Sequence, residues 1–303
     1  MAQRDVKQRI DSVKNIAKIT RAMQMVAAAR LRRAEQRIAA MRPYAGALRR
    51  MTRHAAEAAS SGELANNPIL VEHEQESTVA LLLVTGDRGL AGAFNSQIIR
   101  AALRAAAEYT AEGKKVEYYA AGRRGVSSLV FRKLDPAGTY VGFSDRPAFA
   151  DARRISGELS SAYVDGSVDK VEVFYNGYIS PLTQEVRREV LLPLQRATID
   201  EALAEPDEGP EDPLPGTRAL VEYEPSPEGI LARLVPDYVD ISIYRALLES
   251  TASEHGARMT AMRTASENAN EVIDDLTLEM NRVRQAEITQ EIMEVVAGAE
   301  SLT

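Results

Sequence analysis

The first 42 residues contain neither glycine nor proline, and one apolar stripe runs along all of them. Val6, Ile10, Val13, Ala17, Thr20, Gln24, Ala27, Leu31, Ala34, Ile38 and Met41 recur at alternating intervals of four and three. That spacing is a heptad seam, because it keeps a single helix face turned toward a partner helix. Thr20 and Gln24 interrupt its apolarity. A second stripe, Ile16, Ile19, Met23 and Val26, runs beside it, and Ala22–Ala29 (AMQMVAAA) is apolar almost all round. A helix segment of that kind should be enclosed by more than one neighbour.

The far end mirrors the first. Between Pro236 and Gly298 there is no proline and one glycine, Gly256. Tyr244, Leu248, Thr251, Met262, Ala265, Ala269, Val272, Leu276, Met280 and Val283 mark a second seam, rich in small residues that allow close approach of helices. A continuous helix over residues 237–297 would be ~90 Å long, more than a globular domain needs, which points to a coiled coil or shaft. Suppose the two helices are antiparallel, with the turn-prone Arg42–Gly46 level with the start of the last helix near Asp237. Paired positions then sum to roughly 280 at a common rise per residue. Met23 falls level with Arg258 and Met1 with Glu279, and everything after about Met280 outruns its partner as a single helix.

The middle has a different rhythm. Thr78–Val84 (TVALLLV) reads as a buried strand, Ser96–Glu112 as a helix, Lys115–Ala121 as a strand, and Arg123–Phe131 and Phe149–Tyr163 as helices. Lys170–Ile179 and Gln184–Val190 read as two more strands joined at Ser180-Pro181. Alternation of this kind predicts a small, mostly parallel α/β sheet. Residues 204–236 hold seven of the thirteen prolines, including the acidic stretch Glu205–Pro215, and predict a loop that returns the chain to the rod.

Charge is unevenly spread. Residues 1–53 carry a net charge of +11, against −18 over the remainder and −7 for the whole. A basic arm on an acidic body fits nucleic acid, or a cationic helix docking on acidic protein partners. The interleaved seam and the lack of an aromatic platform for bases favour the second. The opening MAQRDVKQRI has no apolar core, so no secretory signal is expected, and Val79–Val84 is far too short to span a bilayer. There is no cysteine, which excludes disulfides and thiolate metal sites.

Catalytic chemistry has little to stand on. Gly86-Asp87-Arg88-Gly89-Leu90-Ala91-Gly92 follows a strand and precedes a helix, as a phosphate cradle does. Its glycines are spaced G-x-x-G-x-x-G rather than G-x-G-x-x-G, and no G-K-[ST] follows. The competing reading is a tight strand-to-helix turn packed against the rod. His54, His73 and His255 lack metal-ligand spacing, so neither a metal nor a cofactor is predicted. The tail Asn281–Leu302 is amphipathic rather than frayed, with Arg284, Gln285, Thr289, Gln290 and Glu291 ahead of the apolar-rich Ile292–Ala299. Such order predicts a tip seated inside something.

Several runs together resemble the γ subunit family of F-type ATP synthases. They are Arg9–Ala29, Asp87–Gly92, Tyr175-Asn176, Leu182–Glu185, Tyr223-Glu224-Pro225, Ser253–Met259 and Arg284–Ile292, in order along the whole chain. The resemblance implies a non-catalytic rotor shaft whose terminal helices turn inside a hexamer of three α and three β subunits, while ATP chemistry takes place on β. It implies a foot joined to the ε subunit and the ring of c subunits, a peripheral position on the cytoplasmic face of a bacterial plasma membrane reached only through partners, and no nucleic acid. Carried over residue by residue, it implies coupling or partner contacts at Met23, Arg258, Arg284, Gln285, Thr289 and Glu291, and rotor-foot contacts at Arg42, Pro43, Tyr44 and Tyr223. Plant chloroplast members carry an inserted dithiol switch, which a cysteine-free chain cannot contain.

The predicted fold is therefore α/β: a long antiparallel coiled coil of the N- and C-terminal helices plus a central Rossmann-like α/β domain. The expected divisions are 1–58 for the first helix, 75–200 for the α/β domain, 201–236 for the proline-rich return and 237–303 for the last helix with its single-helix tip.

Overall fold

A computed structural model describes residues 3–58, 67–194, 224 and 226–300. Its elements in chain order are α1 (Gln3–Ala58), β1 (Thr78–Val84), α2 (Phe94–Ala111), β2 (Lys115–Ala121), α3 (Arg123–Phe131), β3 (Gly138–Tyr140), α4 (Phe149–Val164), β4 (Lys170–Tyr178), β5 (Gln184–Leu192) and α5 (Pro227–Glu300). Two compact units divide the chain, Met1–Ala29 with Arg258–Thr303, and Arg30–Ala257. Both long helices are shared between them. The fold is α/β with an antiparallel coiled coil of the terminal helices, as the periodicity predicts.

In the coiled-coil unit, α1 buries Val6, Ile10, Thr20 and Ala27 and half-buries Val13, Ala17, Met23 and Gln24. The polar interruptions thus stay on the seam. Thr20 does so at low cost because its hydroxyl donates to the carbonyls of Ile16 and Ala17, both 3.1 Å away. On α5, Met262 and Ala269 are buried, and Ala265, Leu276, Met280 and Val283 are half-buried. Val272 is exposed and Ile273 takes the half-buried position beside it. From Ile288 to Val295 every residue is exposed, which is the single-helix tip that the unequal lengths predict.

The larger unit is built on a five-stranded sheet of order β3-β2-β1-β4-β5. β1, β2, β3 and β4 are parallel, and β5 returns antiparallel to β4. Central β1 is covered on both faces, so it reads as a continuous apolar run, with Val79–Leu83 all 0% exposed. β3 escapes sequence reading because it is only three residues long, and its pairing with β2 is what defines it. The chain moves outward from β1 to β3, then returns through α4 to β4 on the other side of β1. The carboxyl ends of β1 and β4 therefore flank a topological switch point, where open α/β sheets usually hold ligands.

One expectation about a helix end is corrected: α5 begins at Pro227 rather than near Asp237, with Pro236 inside it, while α1 runs unbroken through the turn-prone Arg42–Gly46, with Pro43 inside it. An interior proline costs roughly 3 kcal/mol. Burial outweighs it here: Met41, Ala45, Leu48, Thr52 and Ala55 continue the first seam, and Leu231, Val235, Tyr238 and Val239 are buried around Pro236. The remainder of the proline-rich return, including Glu205–Pro215, lies outside the described residues.

Candidate partner surfaces and the glycine loop

The glycine loop is a structural turn whose polar groups are spent on the fold. The Asp87 carboxylate accepts backbone N–H groups from Arg123 at 3.0 Å, Gly142 at 2.9 Å and Ser144 at 3.2 Å. Burial pushes its pKa up, but these donors outweigh that and hold it below the ordinary carboxylate value. Its anion thus sits at the start of α3, where a phosphate would otherwise be drawn. The Gly86 N–H donates to Asn95 Oδ1 at 2.8 Å, and the Asp87 N–H to Ser144 Oγ at 2.9 Å. Thr85 Oγ1 donates to the Ala121 carbonyl and accepts from the Gly125 N–H, both at 2.9 Å. Gly122 has a φ of 96°, and a Cβ there would stand 2.1 Å from the Thr85 carbonyl oxygen, so only glycine lets the two connections meet.

The switch-point crevice is closed by the chain itself. Along α5, Ser250 Oγ donates to the Val84 carbonyl at 3.4 Å, Thr251 Oγ1 to the Ser144 carbonyl at 2.9 Å and Ser253 Oγ to the Asn176 carbonyl at 3.0 Å. The Glu254 side chain lies against Gly86. This is the strand-to-helix turn packed on the rod, and the cradle reading falls with it.

The histidines are structural too. His73 Nδ1 is 2.8 Å from Asp169 Oδ1 and its ring stacks on Tyr163 at 4.5 Å; His54 contacts Arg53, and His255 is buried in α5. Among the described residues no three His, Cys, Asp or Glu side chains are grouped to hold a metal ion, and no helix is long and apolar enough to cross a membrane.

The residues predicted to meet partners are distributed, not gathered. In the coiled-coil unit Met23 is half-buried, Arg258 is buried, and Arg284, Gln285, Thr289 and Glu291 are exposed on the tip. The Thr289 hydroxyl donates to the Gln285 carbonyl at 2.8 Å, within its own helix. In the larger unit Arg42, Pro43 and Tyr44 are exposed on α1. Tyr223 lies outside the described residues.

Two apolar surfaces in the coiled-coil unit are uncovered. Ile16, Ile19, Met25 and Val26 are each more than half exposed on α1, so most of the second stripe is left largely uncovered by the described residues. Ile288, Ile292, Met293 and Val295 form the other surface on the tip. Sequence periodicity located the stripe but not that this chain leaves it bare. Larger apolar patches of this kind mark interaction surfaces.

Known proteins share this layout. The family described as ATP synthase matches residues 2–302. A protein of Rubrobacter xylanophilus named ATP synthase gamma chain is 42% identical, over 99% of this chain and 98% of its own length. The chain belongs to the ATP synthase gamma-chain family. A gamma chain of Streptomyces avermitilis is 41% identical, over 98% of this chain and 94% of its own. A chain from the central stalk and c-ring structure of Tetrahymena thermophila mitochondrial ATP synthase aligns with a TM-score of 0.59 and 26% identity, over 82% of this chain and 99% of that one. A chain of the Euglena gracilis mitochondrial enzyme aligns with a TM-score of 0.65 over 99% of this chain and 94% of that one; at 17% identity it speaks for the fold alone.

This membership gives the motifs a spatial meaning that their order in sequence hides. Asp87–Gly92, Tyr175-Asn176, Leu182–Glu185 and the start of Ser253–Met259 lie far apart in the chain. In the larger unit they converge around α5 residues 253–256. Sequence reasoning quoted each motif and missed that they meet, because the meeting depends on strand order.

Proposed function

We propose that this gamma-chain family member is the central rotor shaft of a bacterial rotary ATP synthase and carries no catalytic centre of its own. The observation that supports this most directly is the coiled coil ending in an exposed single helix with apolar residues on it. In this reading the coiled-coil unit turns inside a hexamer of α and β subunits, and the exposed stripe Ile16, Ile19 and Val26 together with the tip forms its bearing surfaces. An apolar bearing resists lateral displacement while making few directional bonds. The α/β unit is the foot that engages the ε subunit and the c-ring, with Arg42, Pro43, Tyr44 and Tyr223 as contacts. Met23, Arg258, Arg284, Gln285, Thr289 and Glu291 communicate with β. ATP forms and breaks on β, and the chain meets the cytoplasmic membrane face only through these partners.

Reconstitution tests the proposal. The chain is combined with α, β and ε subunits on vesicles carrying the membrane sector of a bacterial relative. ATP-driven proton uptake that requires this chain is the expected outcome. Uptake that is equal without it, or failure of the chain to assemble with α and β, overturns the proposal.

A further inference from the structure

We infer that α5 residues Ser250–Gly256, seated across the carboxyl ends of β1 and β4, are a mechanical clamp that passes torque between the shaft and the α/β foot. The inference rests on the rotor reading and names the part of the fold that would carry its load.

Torque must pass between a helix and a sheet. A helix held to a sheet by apolar contact alone can slide or roll, because such contact is non-directional. The α5 segment is held differently. Ser250 and Ser253 each donate a side-chain hydrogen bond to a main-chain carbonyl of the sheet, Val84 at the end of β1 and Asn176 near the end of β4, and the Thr251 hydroxyl is shared between the Ser144 carbonyl in the loop after β3, at 2.9 Å, and the Leu247 carbonyl of its own helix, at 2.8 Å. The three acceptors lie on β1, on the loop after β3 and on β4, so neither β1 nor β4 can shift along the helix without breaking a bond.

Shape adds to the bonds. A Cβ at Gly86 would stand 2.7 Å from the Glu254 carboxyl carbon and 2.8 Å from each of its oxygens. On the opposite connection, a Cβ at Gly256 would stand 3.0 Å from the Pro181 carbonyl oxygen. Glycine on the loop side at one contact and on the helix side at the other brings backbone and side chain close together. Ser253, Glu254 and His255 are at most 1% exposed, so the joint is buried. The crevice where open α/β sheets usually hold ligands is thereby occupied by a shaft helix. Buried polar groups with all their weight on one geometry favour a single docked arrangement.

The test uses the assembled complex in vesicles, measuring ATP hydrolysis and ATP-driven proton uptake on the same sample. Thr251→Ala combined with Ser253→Ala removes both hydroxyls without adding bulk, and Gly86→Val wedges the Glu254 contact. Losing both hydroxyls weakens the docked arrangement by about ten-fold. The expected result is that protons moved per ATP fall below the wild-type ratio while hydrolysis persists. Phe131→Ala, on the exposed end of α3 away from the joint, should leave the ratio at the wild-type value. An unchanged ratio in the double variant overturns the clamp, as does an equal fall with Phe131→Ala. If Gly86→Val does not assemble, the double variant decides alone. Should the wild-type complex hydrolyse ATP without any uptake, the rotor reading fails instead, so the two failures are told apart.

Discussion

His73 Nδ1 lies 2.8 Å from Asp169 Oδ1, and the other oxygen of Asp169 accepts the backbone N–H groups of Ser77 and Thr78 at the start of β1. One carboxylate thus ties the segment before β1 to the turn before β4. Burial pushes the Asp169 pKa up, but His73 and the Ser77 and Thr78 donors prevail and bring it down to about 2. A lowered folded-state pKa contributes stability above the ordinary value of about 4, and that stability is lost as pH falls toward 2. Asp169→Asn should therefore cost about 1–2 kcal/mol at pH 7, and the gap to wild type should narrow as pH falls below about 4. Urea melts between pH 7 and pH 3 measure it; a gap that stays constant would sink the assignment.

The Asp87 carboxylate does comparable work at the other end of β1. Asp87→Ala leaves the N–H groups of Arg123, Gly142 and Ser144 without their acceptor. The expected cost is about 2 kcal/mol, since orphaned donors near the surface recover part of their loss from water. Asp87→Asn keeps an acceptor and should lose less. Equal stability of the alanine variant and wild type by thermal melting would show that the loop is held by something else.

Much of this was legible because the signals were local. β1, β2 and α3 have the bounds that run and period assign, since a fully buried parallel strand and a short amphipathic helix each carry their own pattern. The heptad seam was legible down to the buried Thr20, because burial follows the period and not the polarity of one residue. What failed was local evidence set against distant packing. Pro236 looks like a helix end, and the buried residues around it keep the helix whole. The docking of Ser253 on Asn176 was invisible, because strand order brings together residues 77 positions apart. Partner residues such as Met23 and Arg284 came from resemblance, because a contact with another chain leaves no period in this one.

The register of the coiled coil gives a sharper test. If paired positions sum to roughly 280, Met23→Cys and Arg258→Cys should bridge, since a disulfide needs Cα atoms within about 7 Å. The natural chain has no cysteine, so oxidation reports this pair alone. Met23→Cys with Met262→Cys, one helical turn further along α5, should bridge far less. Efficient bridging of the second pair and not the first would move the register by a turn. Met23→Lys, which sets a second cation beside Arg258, should lower protons moved per ATP more than it lowers assembly.

Removing the tip shortens the coiled-coil unit alone. Residues Ile288–Val295 are all exposed, so deleting everything after Ala286 uncovers no described core in either unit. The α/β unit should keep its melting temperature in the isolated chain, because its core of Val79, Leu81, Leu83, Ile98, Leu129 and Phe174 is untouched. Turnover of the assembled complex should nonetheless fall, since the rotor reading makes Ile288, Ile292 and Met293 a bearing surface and Arg284 and Gln285 would be left on a frayed end. The residual activity should be recovered poorly by more enzyme and better by restoring apolar residues at the deleted positions, which distinguishes a lost bearing from lost assembly. Full turnover by the truncated complex would mean that the exposed apolar tip has no mechanical part in rotation.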